Sequence, residues 1–203
     1  IYGLEITSLG KLRYSAVFPC FVSAVIASQV PEFFHIVHPH QYYVVASFPK
    51  LTSEVIISLI VAGVVFGIIA RIFIASIHFV SQRLNRHITF MPFRPMVGGI
   101  LIMLMTLMVG QQTFNGLGVH SMIASFYHEL PVTDFIGKLI FTATTLGSGF
   151  KGGEITPLFF VGTTLGNALG QFLPLPISLL AGLGLVSLFA GASKAPLTSI
   201  ILA

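Results

Sequence analysis

The stretch from Ile155 to Ser193 contains no charged residue, and this constrains the fold more than any other feature of the sequence. Of all 203 residues, only 8% are charged and 55% are hydrophobic, whereas soluble domains carry about 25% charged residues. So few charges cannot cover a water-facing surface. A lipid bilayer accepts apolar side chains on every face of a helix and penalises charge. The composition therefore predicts an all-α, multi-pass integral membrane protein in the cell membrane.

The basic residues are distributed as they are in membrane proteins. Ten Lys and Arg residues outnumber six Asp and Glu residues, but the basic ones occur in short clusters between apolar segments. Such clusters indicate orientation in the membrane, and no nucleic-acid partner is expected. The most basic segment, Arg83–Arg94, is predicted to be a cytoplasmic loop. Counting crossings from this loop places Glu129 and Asp134 outside, and Lys11 and Arg13 inside.

Prolines, glycines and polar residues divide the chain into apolar segments. Leu51–Gln82 is too long for one straight crossing, so it is expected to be either a tilted span or two helices in series. Ile155–Ser193 is interrupted by Pro157 and by Leu173–Pro176, as in the discontinuous helices of transporters. The other predicted segments are Tyr14–Val30, which is expected to end at Pro31, then Pro95–Gly110, Val119–Tyr127 and Phe135–Leu146.

One segment between two apolar runs combines glycines with charged residues. From Gly147 to Pro157 it reads GSGFKGGEITP, with four glycines, a base, an acid and a proline. Irregular backbone at membrane depth is tolerated only where it is buried in protein or lines a wet cavity. Thr156 is predicted to be the N-cap, and Pro157 the first residue, of a helix that runs to about Phe172. The amides from Gly153 to Thr156 would then carry partial positive charge, which predicts an anion site.

Glu154 beside this site has two interpretations. An ionised carboxylate could occupy the donors that an anion needs, and its protonation would release them, which would couple anion binding to a proton. Alternatively, Glu154 only complements the helix dipole, which contributes a few tenths to about 1 kcal/mol. Thr156 is either an ordinary N-cap or an anion contact. Lys151 either marks an inner helix end or binds the ion, and Ser148 is either a site residue or a small residue between packed helices.

The same residues resemble a known family. Gly-Ser-Gly, two residues, Gly-Gly, three residues and Pro, followed by Leu158–Gly162 and later by Ala195–Leu202, resemble the second half of a CLC chloride channel or transporter. In that family, a Gly-x-Phe-x-Pro motif begins a helix whose amides bind chloride. Here the corresponding residues are Gly153–Pro157, in which Ile155 replaces the aromatic residue and an acid precedes it. This departure resembles the fluoride-exporting branch, in which an acid and a threonine at the matching positions take part in fluoride and proton antiport.

The resemblance implies a CLC-type inverted-repeat bundle with tilted and broken helices, present here only in its latter part. Residues 1–203 would form a single, partial membrane domain, because the first-half selectivity segment and the C-terminal helices of the family are not found. The implied function is proton-coupled fluoride export. The site would comprise Gly152, Gly153, Glu154, Ile155 and Thr156, with Ser148, Lys151 and Pro157 in support.

The implied partners are a halide anion (fluoride or chloride), protons, the lipid bilayer and a second copy of the chain in a homodimer. By the same resemblance, the dimer contacts would involve Tyr14–Val30, part of Leu51–Gln82 and Pro196–Ala203. Two alternatives stay open. The protein could be a voltage-gated-type chloride channel or chloride/proton exchanger, or the chain could be a non-conducting fragment for dimerisation or assembly.

Enzymatic and metal-dependent functions are disfavoured. An intramembrane protease using Ser148 would need a general base, and the candidates His78 and His120 lie in no recognisable motif. Three further histidines share one loop but have only one acid and no cysteine nearby, so an interfacial loop is favoured over a metal site. No cofactor, no metal and no enzymatic activity are therefore expected. The loop histidines are His35, His38 and His40.

Overall fold

The computed structural model describes residues 14–34, 49–110, 112–195 and 198–200. Within these ranges the chain is helical and contains no strand. The helices of more than three residues are α1 (Tyr14–Phe33), α2 (Ser53–His87), α3 (Phe93–Val109), α4 (Val119–Tyr127), α5 (Asp134–Gly147), α6 (Ile155–Gly170) and α7 (Ile177–Ser193). The predicted all-α fold is confirmed.

Helix α2 decides between the two interpretations of the long apolar segment. It is one continuous helix of 35 residues, about 50 Å long, so the two-helix alternative is wrong. Among the described residues, it is the one helix of at least 18 residues that is apolar enough to cross a membrane, and α3 and α7 are apolar helices of 17 residues each. It also continues to His87, so the first part of the basic segment Arg83–Arg94 is helical and only residues 88–92 form a loop. The straight side chains of Arg83, Leu84 and Arg86 favour this continuation.

Helix α1 also extends further than predicted. It ends at Phe33, three residues after Val30, so Pro31 does not end it. A proline removes one backbone hydrogen bond of a helix but does not by itself stop the last turn. The loop histidines His35, His38 and His40, as well as Lys11 and Arg13, lie outside the described residues.

Helices α6 and α7 are in direct backbone contact. Gly162 and Gly166 lie one turn apart on the face of α6 that meets α7. A Cβ atom on Gly166 would lie 2.1 Å from the carbonyl oxygen of Leu180, and one on Gly162 would lie 2.4 Å from that of Gly184. Small residues allow such close approach, which is how helices associate tightly in membranes.

Helix α2 packs against this pair and against α5 through a narrow stripe. Its largest buried side chains are Phe66 and Phe73, each 1% exposed. Other apolar residues of α2 point outward, and Ile57 and Ile60 are 61% and 62% exposed. An outer surface of this kind suits a bilayer and not water. The buried stripe consists of Val55, Ser58, Ala62, Phe66, Ala70 and Phe73.

A buried amide fixes the connection between α4 and α5. Asn167 on α6 is 0% exposed, and its side-chain nitrogen donates to the carbonyls of Ser125 (2.8 Å) and His128 (2.7 Å). Its side-chain oxygen accepts a hydrogen bond from the amide of Leu130 at 2.9 Å. These bonds hold the start of α5 against α6, and α5 leads directly into the glycine-rich segment.

Candidate functional site

Helix α6 begins two residues earlier than the sequence predicts. Its first residue is Ile155 and its N-cap is Glu154, so the assignment of Thr156 as N-cap was wrong. Pro157 is the third helical residue and does not break a helix. The amides of a first helical turn have no partner within the helix, so proline fits throughout that turn and not only at its first position. The helix ends at Gly170, two residues before the predicted end.

The start of α6 presents unpaired backbone donors. The amide of Leu158 donates to the carbonyl of Glu154 at 3.1 Å and closes the first turn. Among the described residues, the amides of Ile155 and Thr156 have no acceptor. The Glu154 carboxylate makes no cap hydrogen bond to them. Two donors at the positive end of the helix dipole are thus free to bind an anion.

A cavity of about 430 Å³ opens beside this helix start, between α3, α5 and the loop before α4. Four of the residues predicted for the site line it, namely Gly152, Gly153, Thr156 and Pro157. Glu154 and Ile155, which lie between them in sequence, are not among its lining residues, and neither are Ser148 and Lys151. The side chains of Glu154 and Lys151 are exposed. The structure therefore brings together the glycines and Thr156, with Glu154 at the edge.

Ser148 has a different environment. It is 0% exposed, and its hydroxyl donates to the carbonyl of Thr144 in the preceding turn. A Cβ atom on Gly98 of α3 would lie 2.2 Å from the Ser148 side chain, so the two residues fill one contact between α3 and the end of α5. These are the contacts of a small residue between packed helices.

Lys138 on α5 is a further candidate, and it lies outside the glycine-rich segment on which the sequence-based prediction of the site rests. It lines the cavity, although it is only 2% exposed. Its ammonium donates to the carbonyls of Phe114 (3.0 Å) and Gly116 (2.6 Å) and lies 5.1 Å from the centre of the Phe160 ring. One indication was present in the sequence, because Lys138 is the only charged residue between Phe135 and Leu146, and an ionisable residue within a membrane helix is a functional candidate.

The fold and the cavity together define the class of protein to which the chain belongs. An apolar outer surface, glycine-mediated helix packing and a cavity where irregular backbone meets a helix start are the properties of a helical membrane channel or transporter.

Comparison with known proteins identifies the family within this class. The family model described as "Voltage gated chloride channel" matches residues 1–203. A "Chloride/fluoride channel protein" of Pseudomonas syringae pv. tomato (strain ATCC BAA-871 / DC3000) is 40% identical over 209 residues, covering 100% of this chain and 46% of the relative. The "H(+)/Cl(-) exchange transporter ClcA" of Vibrio campbellii (strain ATCC BAA-1116) is 28% identical over 211 residues, covering 95% and 44%. A crystal structure of a CLC-type fluoride/proton antiporter matches with a TM-score of 0.90 and 30% identity, covering 99% of this chain and 50% of that one.

The chain belongs to the voltage-gated chloride channel (CLC) family. The predicted CLC-type helical fold is confirmed by the structural match. The chain spans about half the length of the relatives that it matches.

Proposed function

We propose that the protein moves halide ions across the cell membrane, and that it exports fluoride in exchange for protons. The observation that carries the proposal is the start of α6, where the amides of Ile155 and Thr156 are free beside an acidic N-cap, Glu154. The Pseudomonas relative, a chloride/fluoride channel protein, and the structural match to a fluoride/proton antiporter support this choice of ion.

The geometry suggests how a proton would be coupled to the anion. As the N-cap residue, Glu154 lies within one helical turn of the free amides but does not bond them. Its ionised carboxylate would compete with a halide for those donors, whereas its protonated form would leave them to the halide. The Thr156 hydroxyl lines the cavity and is bonded to no described residue. Fluoride is a strong hydrogen-bond acceptor, and in this proposal the Thr156 hydroxyl would donate to it.

The proposal extends to the assembly. By its resemblance to the family, the protein would be a homodimer with one pathway in each subunit, and residues 1–203 would belong to a single membrane domain. The exposed apolar side chains of α1, among them Phe18 (75%) and Phe21 (67%), would fit a lipid or protein contact.

Replacing Glu154 by Gln tests the coupling mechanism. In the full-length protein reconstituted into liposomes, we expect Glu154→Gln to reduce fluoride-driven proton movement by at least about tenfold, because an amide cannot carry the proton. Fluoride efflux and internal pH would be recorded together at several external pH values. Glu129→Gln, which removes an exposed acid outside the site, is the control. Unchanged proton movement in Glu154→Gln would leave Glu154 only the helix-dipole role.

Ion selectivity tests the choice of substrate. We expect liposomes containing the wild-type protein to release fluoride faster than chloride under equal gradients. Chloride release that equals or exceeds fluoride release would instead support a chloride channel or chloride/proton exchanger, the alternative favoured by the Vibrio relative. Release of neither ion by the full-length protein would favour a non-conducting assembly role.

A further inference from the structure

The cavity wall formed by α5 carries a row of polar side chains. Lys138, Thr142 and Thr145 are spaced by four and three residues, which places them on one face of the helix. All three line the cavity whose other end is formed by Gly152, Gly153 and Thr156. The row therefore shares a single space with the free amides of α6.

The positive charge of Lys138 is only partly compensated. An ammonium group has three N–H donors, and two of them bond the carbonyls of Phe114 and Gly116. Lys138 forms no ion pair with a described carboxylate, including Asp134 one turn earlier on α5. Carbonyl dipoles reduce the cost of burying the charge but leave its sign unchanged. The third N–H has no hydrogen-bond acceptor among the described residues, although the ammonium also lies 5.1 Å from the centre of the Phe160 ring. The positive charge lies at the cavity wall.

Thr142 provides a second, independent observation. It is only 6% exposed, and its hydroxyl is bonded to no described residue. Its neighbours behave differently, since Thr144 and Thr145 donate to the carbonyls of Ile140 (2.9 Å) and Phe141 (2.8 Å) in the preceding turn. Among the described residues, no fully enclosed side-chain oxygen or nitrogen lacks a partner, so the unbonded Thr142 hydroxyl is open to the cavity that it lines. An occupant of the cavity would supply its partner.

We propose that Lys138 and Thr142 form an additional anion-binding subsite on α5, separate from the amides at the start of α6. The inference rests on the proposed function, because its ligand is the transported halide. An ammonium and a hydroxyl one turn apart supply two donors and one positive charge, which suits a small monovalent anion. Much of the remaining wall is apolar, including Ile102, Leu117 and Phe150. Such a wall disfavours multivalent anions such as phosphate, which need more donors.

The subsite is tested by halide binding, independently of transport. In isothermal titration of the full-length, detergent-purified protein with sodium fluoride, we expect Lys138→Met to raise the Kd by about tenfold or more. Thr142→Val, which keeps the side-chain shape, is expected to raise it by about threefold. Lys138→Arg should restore most of the affinity, since it keeps the charge.

Two matched variants separate binding from structure. Thr145→Val removes a hydroxyl from the same wall, but that hydroxyl already donates to Phe141, so the Kd should not change. Lys50→Met removes an exposed lysine outside the cavity and should also leave the Kd unchanged. If Lys138→Met does not fold because the loop before α4 loses its clamp, Thr142→Val and Lys138→Arg still decide the question.

The outcomes distinguish this inference from the proposed function. Wild-type affinity in Thr142→Val together with a weakened Lys138→Arg would overturn the subsite and leave Lys138 a structural clamp of the loop. Equal losses in Thr142→Val and Thr145→Val would also overturn it, since the unpaired hydroxyl would then have no special role. Wild-type protein that neither binds nor moves halide contradicts the proposed function, whereas halide transport with unaltered binding in the variants contradicts the subsite alone.

Discussion

Asn167 shows how a single buried polar residue can organise this part of the protein. Its amide group bonds the carbonyl of Ser125 in the last turn of α4, and the carbonyl of His128 and the amide of Leu130 in the segment that joins α4 to α5. We expect Asn167→Ala to lower the free energy of unfolding by about 2 kcal/mol, because these backbone groups would lose their partners within the protein interior. Thermal unfolding of the purified protein in detergent measures the change.

Gln171 is the matched control for Asn167. It bonds the same segment, through the carbonyl of Leu130 at 2.9 Å, but it is exposed. Water can replace its hydrogen bond, so Gln171→Ala should cost about 0.5–1 kcal/mol or less. A destabilisation of Asn167→Ala no larger than that of Gln171→Ala would show that burial adds nothing to this network.

Part of the candidate site can be predicted from individual residues of the sequence. Glycines, an acid and a proline in one short segment predicted irregular backbone followed by a helix start, and the structure has both. The N-cap was displaced by two residues because Pro157 is compatible with several positions of a first turn. Lys138 and Thr142 were not selected, because the cavity that gives them significance is formed with Phe114 and Gly116, more than 20 residues earlier in the chain.

At the scale of the helices, the contact between α6 and α7 depends on glycine. Alanine at Gly166 would place its Cβ atom against the carbonyl oxygen of Leu180, which is backbone and cannot move aside without separating the helices. We expect Gly166→Ala to destabilise the protein by about 1–3 kcal/mol, as overpacking does in other well-packed interiors. The midpoint of thermal aggregation in detergent reports the change.

Gly67 on α2 allows the same substitution without the contact. A Cβ atom there would meet nothing within 4 Å, and alanine favours a helix by up to about 1 kcal/mol over glycine. Gly67→Ala is therefore expected to leave stability unchanged or to raise it. If Gly166→Ala and Gly67→Ala shift the midpoint of thermal aggregation in the same direction by the same amount, the close contact between α6 and α7 does not contribute to the stability of the protein.

Helix boundaries show where sequence patterns suffice and where they do not. Val119–Tyr127 is bounded as predicted, because glycine precedes it and polar residues follow it. Helix α2 passes the predicted end at Gln82 without a break, since Arg83, Leu84 and Arg86 are good helix formers. Polarity there indicated the end of the apolar segment, which is a different boundary from the end of the helix.

At the scale of the whole molecule, the distribution of charge predicts which segments face the cytoplasm. Arg86 lies in the last turn of α2, within the basic segment Arg83–Arg94, and Glu129 lies between α4 and α5. Both side chains are exposed. If the positive-inside rule orients the protein, these two residues lie on opposite sides of the membrane. Single cysteines at each position can test this, because Cys20 is the only cysteine in residues 1–203 and Cys20→Ser removes it.

In intact cells, we expect a membrane-impermeant maleimide to label Glu129→Cys. Arg86→Cys should be labelled only after the membrane is permeabilised, because the excess of positive charge around it is retained on the cytoplasmic side. The Cys20→Ser background alone is the control, and its labelling is subtracted in both conditions. Labelling of Arg86→Cys from outside together with protection of Glu129→Cys would invert the topology, and the acidic segment and the start of α5 would then face the cytoplasm.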